Sequence, residues 1–86
     1  MYYLYILLCN DNTLYTGITN NIESRLEIHR LGKGSKYVRS RLPFKHIYTE
    51  ELENKSEALK REIEIKKMSR EEKIEVLGLI IAYNTV

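Results

Sequence analysis

Residues 2 to 19 read Tyr2-Tyr3-Leu4-Tyr5-Ile6-Leu7-Leu8-Cys9, then Asn10-Asp11-Asn12, then Thr13-Leu14-Tyr15-Thr16-Gly17-Ile18-Thr19. Tyr2 to Cys9 is unbroken aromatic and aliphatic residues, and Thr13 to Thr19 alternates with β-branched ones. The Asn-Asp-Asn triplet between them has turn chemistry, so the stretch predicts a β-hairpin. With a three-residue loop centred on Asp11, Tyr5 falls opposite Gly17 and Tyr15 opposite Leu7. Both phenols then stand on one side of the sheet as diagonal neighbours roughly 7 to 8 Å apart. A two-residue loop would put them on opposite faces. Gly17 has no side chain where Tyr5 needs room, which leaves an opening in that face.

Working outward, Asn20-Asn21-Ile22-Glu23 reads as a capping box with Asn20 as the accepting cap. It predicts a helix from Asn21 to Leu31 that stops at Gly32, followed by a Gly32-Lys33-Gly34-Ser35 loop. Phe44 to Leu52, after Pro43, has the composition of a third strand. Asn54-Lys55-Ser56-Glu57 opens a helix to about Met68, and Ser69-Arg70-Glu71-Glu72 opens a last one to about Tyr83. The order is β-β-α-β-α-α. The fold class is α+β, a small three-stranded mainly antiparallel sheet flanked by helices, and residues 1–86 are expected to form a single domain.

A hydrophobic fraction of 43% with 30% charged residues, one proline and four glycines is globular composition and excludes the disordered and fibrous classes. The single Cys9 allows no internal disulfide and lies in an apolar run, which favours a reducing, cytoplasmic setting. Met1 to Cys9 lacks the basic flank of a signal peptide, and the longest strictly apolar stretch, Leu79 to Tyr83, is far short of the ~20 residues of a bilayer span. Net charge is +2, yet between Ser24 and Tyr48 seven bases (Arg25, Arg30, Lys33, Lys36, Arg39, Arg41, Lys45) face one acid, Glu27. Tyr37 and Phe44 interleave with them. Cations mixed with aromatics suit a phosphate backbone with bases to stack on, and the plainer alternative is a solvated loop.

Arg25 and His29 sit one turn apart beside the Ile22/Leu26 stripe of the first helix. A guanidinium there can grip two phosphate oxygens and stabilise the added charge of a five-coordinate phosphorus. On a wheel with Ala58 at zero, Ile65 falls near −20°, Glu62 near 40°, Leu59 near 100° and Ile63 near 140°, so a carboxylate stands inside an apolar stripe. Burying it demands a compensating group. Lys66, at i+4, would make an ordinary ion pair, and Mg²⁺ would also serve because one or two carboxylates commonly hold it. Zinc has no ligand spacing here.

Taken together, these residues resemble the GIY-YIG nuclease family over nearly the whole chain. Its first signature stands here as Tyr3-Leu4-Tyr5 and its second as Tyr15-Thr16-Gly17, followed in order by Arg25, His29 and the Ala58-Leu59-Lys60-Arg61-Glu62 helix. Lys33 to Tyr37 and Ser56 to Lys67 look like its small stand-alone bacterial branch. The resemblance implies a three-stranded sheet with flanking helices and a DNA endonuclease of repair or recombination. It implies that Glu62 holds one Mg²⁺ or Mn²⁺, that Tyr5 and Tyr15 position or deprotonate the attacking water, and that Arg25 stabilises the scissile phosphate. His29 stands where the family uses His or Tyr. Backbone contacts fall to Arg30, Lys33, Lys36, Tyr37, Arg39, Arg41 and Lys66. In three places the chain departs from the family. Tyr3-Leu4 replaces Gly-Ile, Ile18 stands where some repair members have lysine, and Lys73-Ile74-Glu75 occupies the region where a polar residue, often asparagine, follows the glutamate. The length leaves no room for a separate target-recognition domain, which favours cutting of single-stranded, branched or nicked DNA, or a protein partner that supplies specificity. The competing classes are a non-catalytic nucleic-acid-binding module that keeps the fold, and an interaction domain whose basic loop meets an acidic protein.

Overall fold

In a computed structural model, residues 1–79 are described as β1 (Tyr2–Cys9), β2 (Leu14–Thr19), α1 (Ile22–Arg30), α2 (Lys36–Arg39), β3 (Phe44–Leu52), α3 (Lys55–Lys66) and α4 (Arg70–Leu77). The three strands form one antiparallel sheet in the order β2-β1-β3. The fold class is the expected α+β, with one helical turn more than the sequence suggested. That turn, α2, exists because the Ser35 hydroxyl accepts the Val38 N–H at 3.1 Å and Val38 is fully buried beneath it.

The hairpin closes through a three-residue loop. The Cys9 N–H donates to the Thr13 carbonyl at 2.8 Å, and the Asn12 N–H donates to the Cys9 carbonyl at 2.9 Å. Asn12 takes the left-handed conformation, φ 69°, that such loops require at their last position. The register follows, with Tyr5 opposite Gly17 and Leu7 opposite Tyr15, so the two phenols share a face as the three-residue loop predicts.

Central β1 explains its own composition. Leu4 to Cys9 are all buried because both faces of the strand are covered. Leu4, Ile6 and Leu8 pack with Ile65 of α3 and with Met68, Ile74 and Leu77. On the other face Tyr5 and Leu7 pack with Leu26 of α1 and Val38 of α2, bordered by Tyr15, Ile22, Leu42 and Phe44. A register shift in β3 pairs Ile6 with Tyr48 but Leu7 with His46, leaving Ile47 as an extra residue. Ile47 and Tyr48 thereby both reach the α3/α4 side of the sheet.

Two boundaries differ from expectation. The cap of α1 is Asn21, whose side chain accepts from the Ser24 N–H at 3.0 Å, and the Asn20/Glu23 box does not form. The Thr19 hydroxyl accepts the Asn21 N–H at 3.1 Å, which ties the end of β2 to the helix cap. Asn54 and Ser69 cap α3 and α4 as read, with both halves of the Ser69/Glu72 box present. The last helix stops at Leu77, short of Tyr83, because Gly78 turns left-handed at φ 64°. Positions 80 to 83 of the expected helix lie outside the described residues. Among those described, no helix is long and apolar enough to cross a membrane.

No spacing in the sequence announces the clamp that docks α3 on β3. Arg61 grips Glu50 with Nε at 2.8 Å and Nη2 at 3.0 Å, and the Tyr48 hydroxyl donates to the same carboxylate at 2.6 Å. Partial burial pushes the Glu50 carboxyl up, but the bonds from Arg61 and Tyr48 outweigh it and hold the group below the ordinary range. A depressed acid stabilises the fold above its unfolded pKa, and that stability is lost as pH falls through the folded pKa. The parent is therefore expected to lose thermal stability relative to Glu50→Gln as pH drops from about 5 toward 3. Parallel melting curves of the two proteins across that range would disprove the coupling.

Candidate functional site

The site begins at the glycine of the hairpin. The Tyr5 ring crosses Gly17 so closely that a Cβ there would lie 2.5 Å from the phenol oxygen and 2.6 Å from Cζ. Passing over that gap, the hydroxyl meets His29 Nε2 at 2.8 Å. Both partners are buried, each 1% exposed. Burial, and secondarily the nearby Arg25 charge, lower the His29 pKa, so the ring is neutral near pH 7. A neutral imidazole has one donor and one acceptor nitrogen, so the Tyr5 contact can run in either direction according to the tautomer. Among the described residues Nδ1 is buried without a partner, and Gly34 lies against it, since a Cβ at Gly34 would come within 2.5 Å of that atom. The Gly32 to Ser35 segment thus leaves room for the histidine as well as linking α1 to α2.

Tyr15 stands beside this pair, 6.3 Å between ring centroids from Tyr5 and 5.5 Å edge-on from His29. Its other side is covered by Tyr37, stacked at 5.9 Å and 29°. The Arg41 guanidinium lies 3.8 Å over the Tyr37 ring, and Arg41 is itself held by Asp11 at 2.8 Å and by the Tyr37 carbonyl at 3.1 Å. A chain of contacts therefore runs from the hairpin turn through Arg41 and Tyr37 to Tyr15. Of the two phenols, Tyr15 is the one partly open to solvent.

Burial raises the Tyr5 pKa. The nearby Arg25 guanidinium opposes that shift, while the Tyr15 and Glu62 charges add to it. Arg25, Tyr15 and Glu62 are thus all within electrostatic reach of one phenol. Glu62 arrives from α3, its side chain 18% exposed and its Oε2 3.3 Å from Lys66 Nζ. The stripe it was assigned to is narrower than the helical wheel suggested. Ala58 and Ile65 are fully buried, but Leu59 and Ile63 are 42% and 55% exposed, because only one edge of α3 meets the sheet. The ion pair with Lys66 is present. Among the described residues no three or more His, Cys, Asp or Glu side chains cluster. Glu62 is an oxygen donor of the kind a hard divalent cation takes, and such an ion held by one carboxylate would complete its shell with water and phosphate.

The basic residues are unequally placed. Lys33, Lys36 and Arg39 are exposed and in no ion pair among the described residues. Arg30 pairs with Glu27 at 3.6 Å and lies 5.7 Å over Phe44. Arg41 and Tyr37 are engaged in supporting Tyr15, and Lys66 is engaged with Glu62. Two features escaped sequence reasoning. Gly34 looked like an ordinary loop glycine, and only its position close after His29 in the chain hinted otherwise. Lys73 of α4, half-buried, reaches Thr16 Oγ1 at 3.4 Å, and nothing in the sequence pairs those two positions.

A family model described as the GIY-YIG catalytic domain matches residues 1–75. A UPF0213 protein of Oceanobacillus iheyensis is 50% identical over 76 residues, covering 88% of this chain and 88% of that protein. One from Clostridium perfringens is 51% identical over 78 residues, covering 91% and 84%. The solution NMR structure of a UPF0213 protein from Bacillus halodurans is 40% identical, with a TM-score of 0.59 over 91% of this chain and 84% of that one. A solution NMR structure of a protein from E. faecalis is 42% identical, with a TM-score of 0.65 over 90% and 82%.

Proposed function

Because the chain belongs to the GIY-YIG catalytic-domain family and groups with its UPF0213 proteins, we propose that it is a single-domain, divalent-metal-dependent endonuclease that cuts DNA by recognising structure rather than sequence. The observation that carries this reading is the Tyr5–His29 contact of 2.8 Å across Gly17, with Tyr15 beside it and Glu62 and Arg25 in electrostatic reach. Tyr5 is sealed in, so it acts as support, and Tyr15, the more open phenol, is the group that meets water. Acting as its phenolate, Tyr15 takes the proton of the water whose oxygen bonds to phosphorus and becomes the neutral phenol, while the bond from phosphorus to the leaving oxygen breaks and Arg25 neutralises the charge that builds on the phosphoryl oxygens. His29, neutral and fixed by Tyr5, holds the wall against which Tyr15 stands. Glu62 would hold one Mg²⁺ or Mn²⁺, which when bound polarises the phosphoryl group and stabilises the leaving oxygen. Exposed Lys33, Lys36 and Arg39 read backbone charge, which every DNA sequence shares. The free, buried thiol of Cys9 fits a cytoplasmic setting, and repair or recombination is where nicked and branched strands arise.

The test is metal removal. Single-stranded, nicked or branched DNA should be cut in Mg²⁺ or Mn²⁺ and left intact in chelator. Tight, salt-sensitive binding with no metal-dependent cutting of any of those substrates would leave the binding module as the reading. No binding at low salt would point instead to an acidic protein partner.

A further inference from the structure

Lys73 is in an unusual position for a lysine. Its ammonium is half-buried between α4 and β2, and its hydrogen-bond partner is a hydroxyl, Thr16 Oγ1 at 3.4 Å. Among the described residues no carboxylate lies within ion-pair distance of it. Burial, and then the charge of Lys66, make its protonation harder. The charge of Lys66 is thus within electrostatic reach of the Lys73 ammonium. Lys66 is tied to Glu62 at 3.3 Å, and Lys73 is anchored to the residue between Tyr15 and Gly17. A partly desolvated cation with only a hydroxyl for company is costly in the free protein, and an anion bridging the two ammonium groups would relieve both the desolvation and the repulsion.

We propose that Lys66 and Lys73 form a second phosphate subsite, which grips a backbone phosphate of the bound DNA strand other than the one that is cut. Thr16 is its positioning residue. This rests on the nucleic-acid reading above and extends it to the α3/α4 side of β2, where the family resemblance assigned only Lys66. The anion is a phosphodiester because Lys66 is bound to Glu62, the same carboxylate that serves the cleaved phosphate. A strand held at one would pass the other.

The test measures DNA binding without metal over a salt series, using a fluorescent single strand and the full-length parent, Lys73→Met and Lys73→Arg. Methionine keeps the packed stem and removes the charge, so Lys73→Met should melt at or above the parent temperature. Its affinity at ~0.1 M salt should fall by roughly three- to tenfold, and its salt slope should be smaller by about 1. Lys73→Arg should recover most of both. Equal affinity and slope in the parent and Lys73→Met would overturn the subsite, even if the parent cuts DNA in Mg²⁺ or Mn²⁺. A parent that shows the Lys73 dependence yet never cuts would overturn the nuclease reading and leave the subsite standing. A parent that binds no DNA at all would overturn both.

Discussion

Glu62→Gln is expected to lower metal-dependent cleavage by about 10³-fold or more, while DNA binding measured without metal stays close to that of the parent. A bound cation supplies several kcal/mol of charge stabilisation in the transition state, and about 4 kcal/mol corresponds to three powers of ten in rate. Glutamine keeps the length and packing of the side chain and removes the charge that holds the ion. It should cost little in stability, because the ion pair it breaks has a 52% exposed lysine on one side and is worth about 1 kcal/mol at most. A variant that melts normally and cuts within threefold of the parent would remove Glu62 from the mechanism. If melting drops sharply instead, the carboxylate's role is in holding α3 to the sheet.

Gly17→Ala is expected to damage the fold and the site together. The added Cβ would sit 2.5 Å from the Tyr5 oxygen, 2.6 Å from Cζ and 3.0 Å from Cε2. That ring is 1% exposed and bonded to His29, so it has nowhere to go unless β2 bends away. Overpacking of this kind costs about 1–3 kcal/mol, and parting Tyr5 from His29 in the interior adds about 1–3 kcal/mol for the polar groups left unpaired. At about 4–8 °C per kcal/mol for a domain of this size, the melting temperature should fall by roughly 10 °C or more, and cleavage should disappear. A Gly17→Ala protein that melts like the parent would mean that the Tyr5 ring does not lie over the glycine.

The hairpin was fully legible because a single choice, the length of its loop, set which residues faced each other. Asn10-Asp11-Asn12 supplied a residue able to turn left-handed, and Gly17 supplied the space that only one register makes use of. Phe44–Leu52 and the Asn54 and Ser69 caps were legible because each is a local signal with its own hydrogen bond. The one-turn helix Lys36–Arg39 was not, because two glycines and a run of cations read as loop, although Ser35 three residues before Val38 was a usable cap signal. The wheel placed Glu62 correctly near Ala58 and Ile65 but credited Leu59 and Ile63 with burial, since periodicity says which residues share a side and not how wide a contact the neighbour offers. The contacts of His29 with Tyr5 and Gly34, of Tyr37 with Tyr15, and of Lys73 with Thr16 join residues brought together only by tertiary packing. No spacing rule reaches them.

The strand order β2-β1-β3 also bears on how the chain is made. β1 emerges first and gains β2 almost at once, but its other edge is not paired until Leu52 has been synthesised, roughly forty residues later. Through that interval Tyr2 to Cys9, eight residues with no charge and no proline, present an open row of backbone donors and acceptors, which is the composition of a segment prone to cross-chain stacking. A nascent or truncated chain ending before Phe44 is therefore an aggregation hazard. The charged, bulged strand that closes the sheet acts as the chain's own protection against self-association.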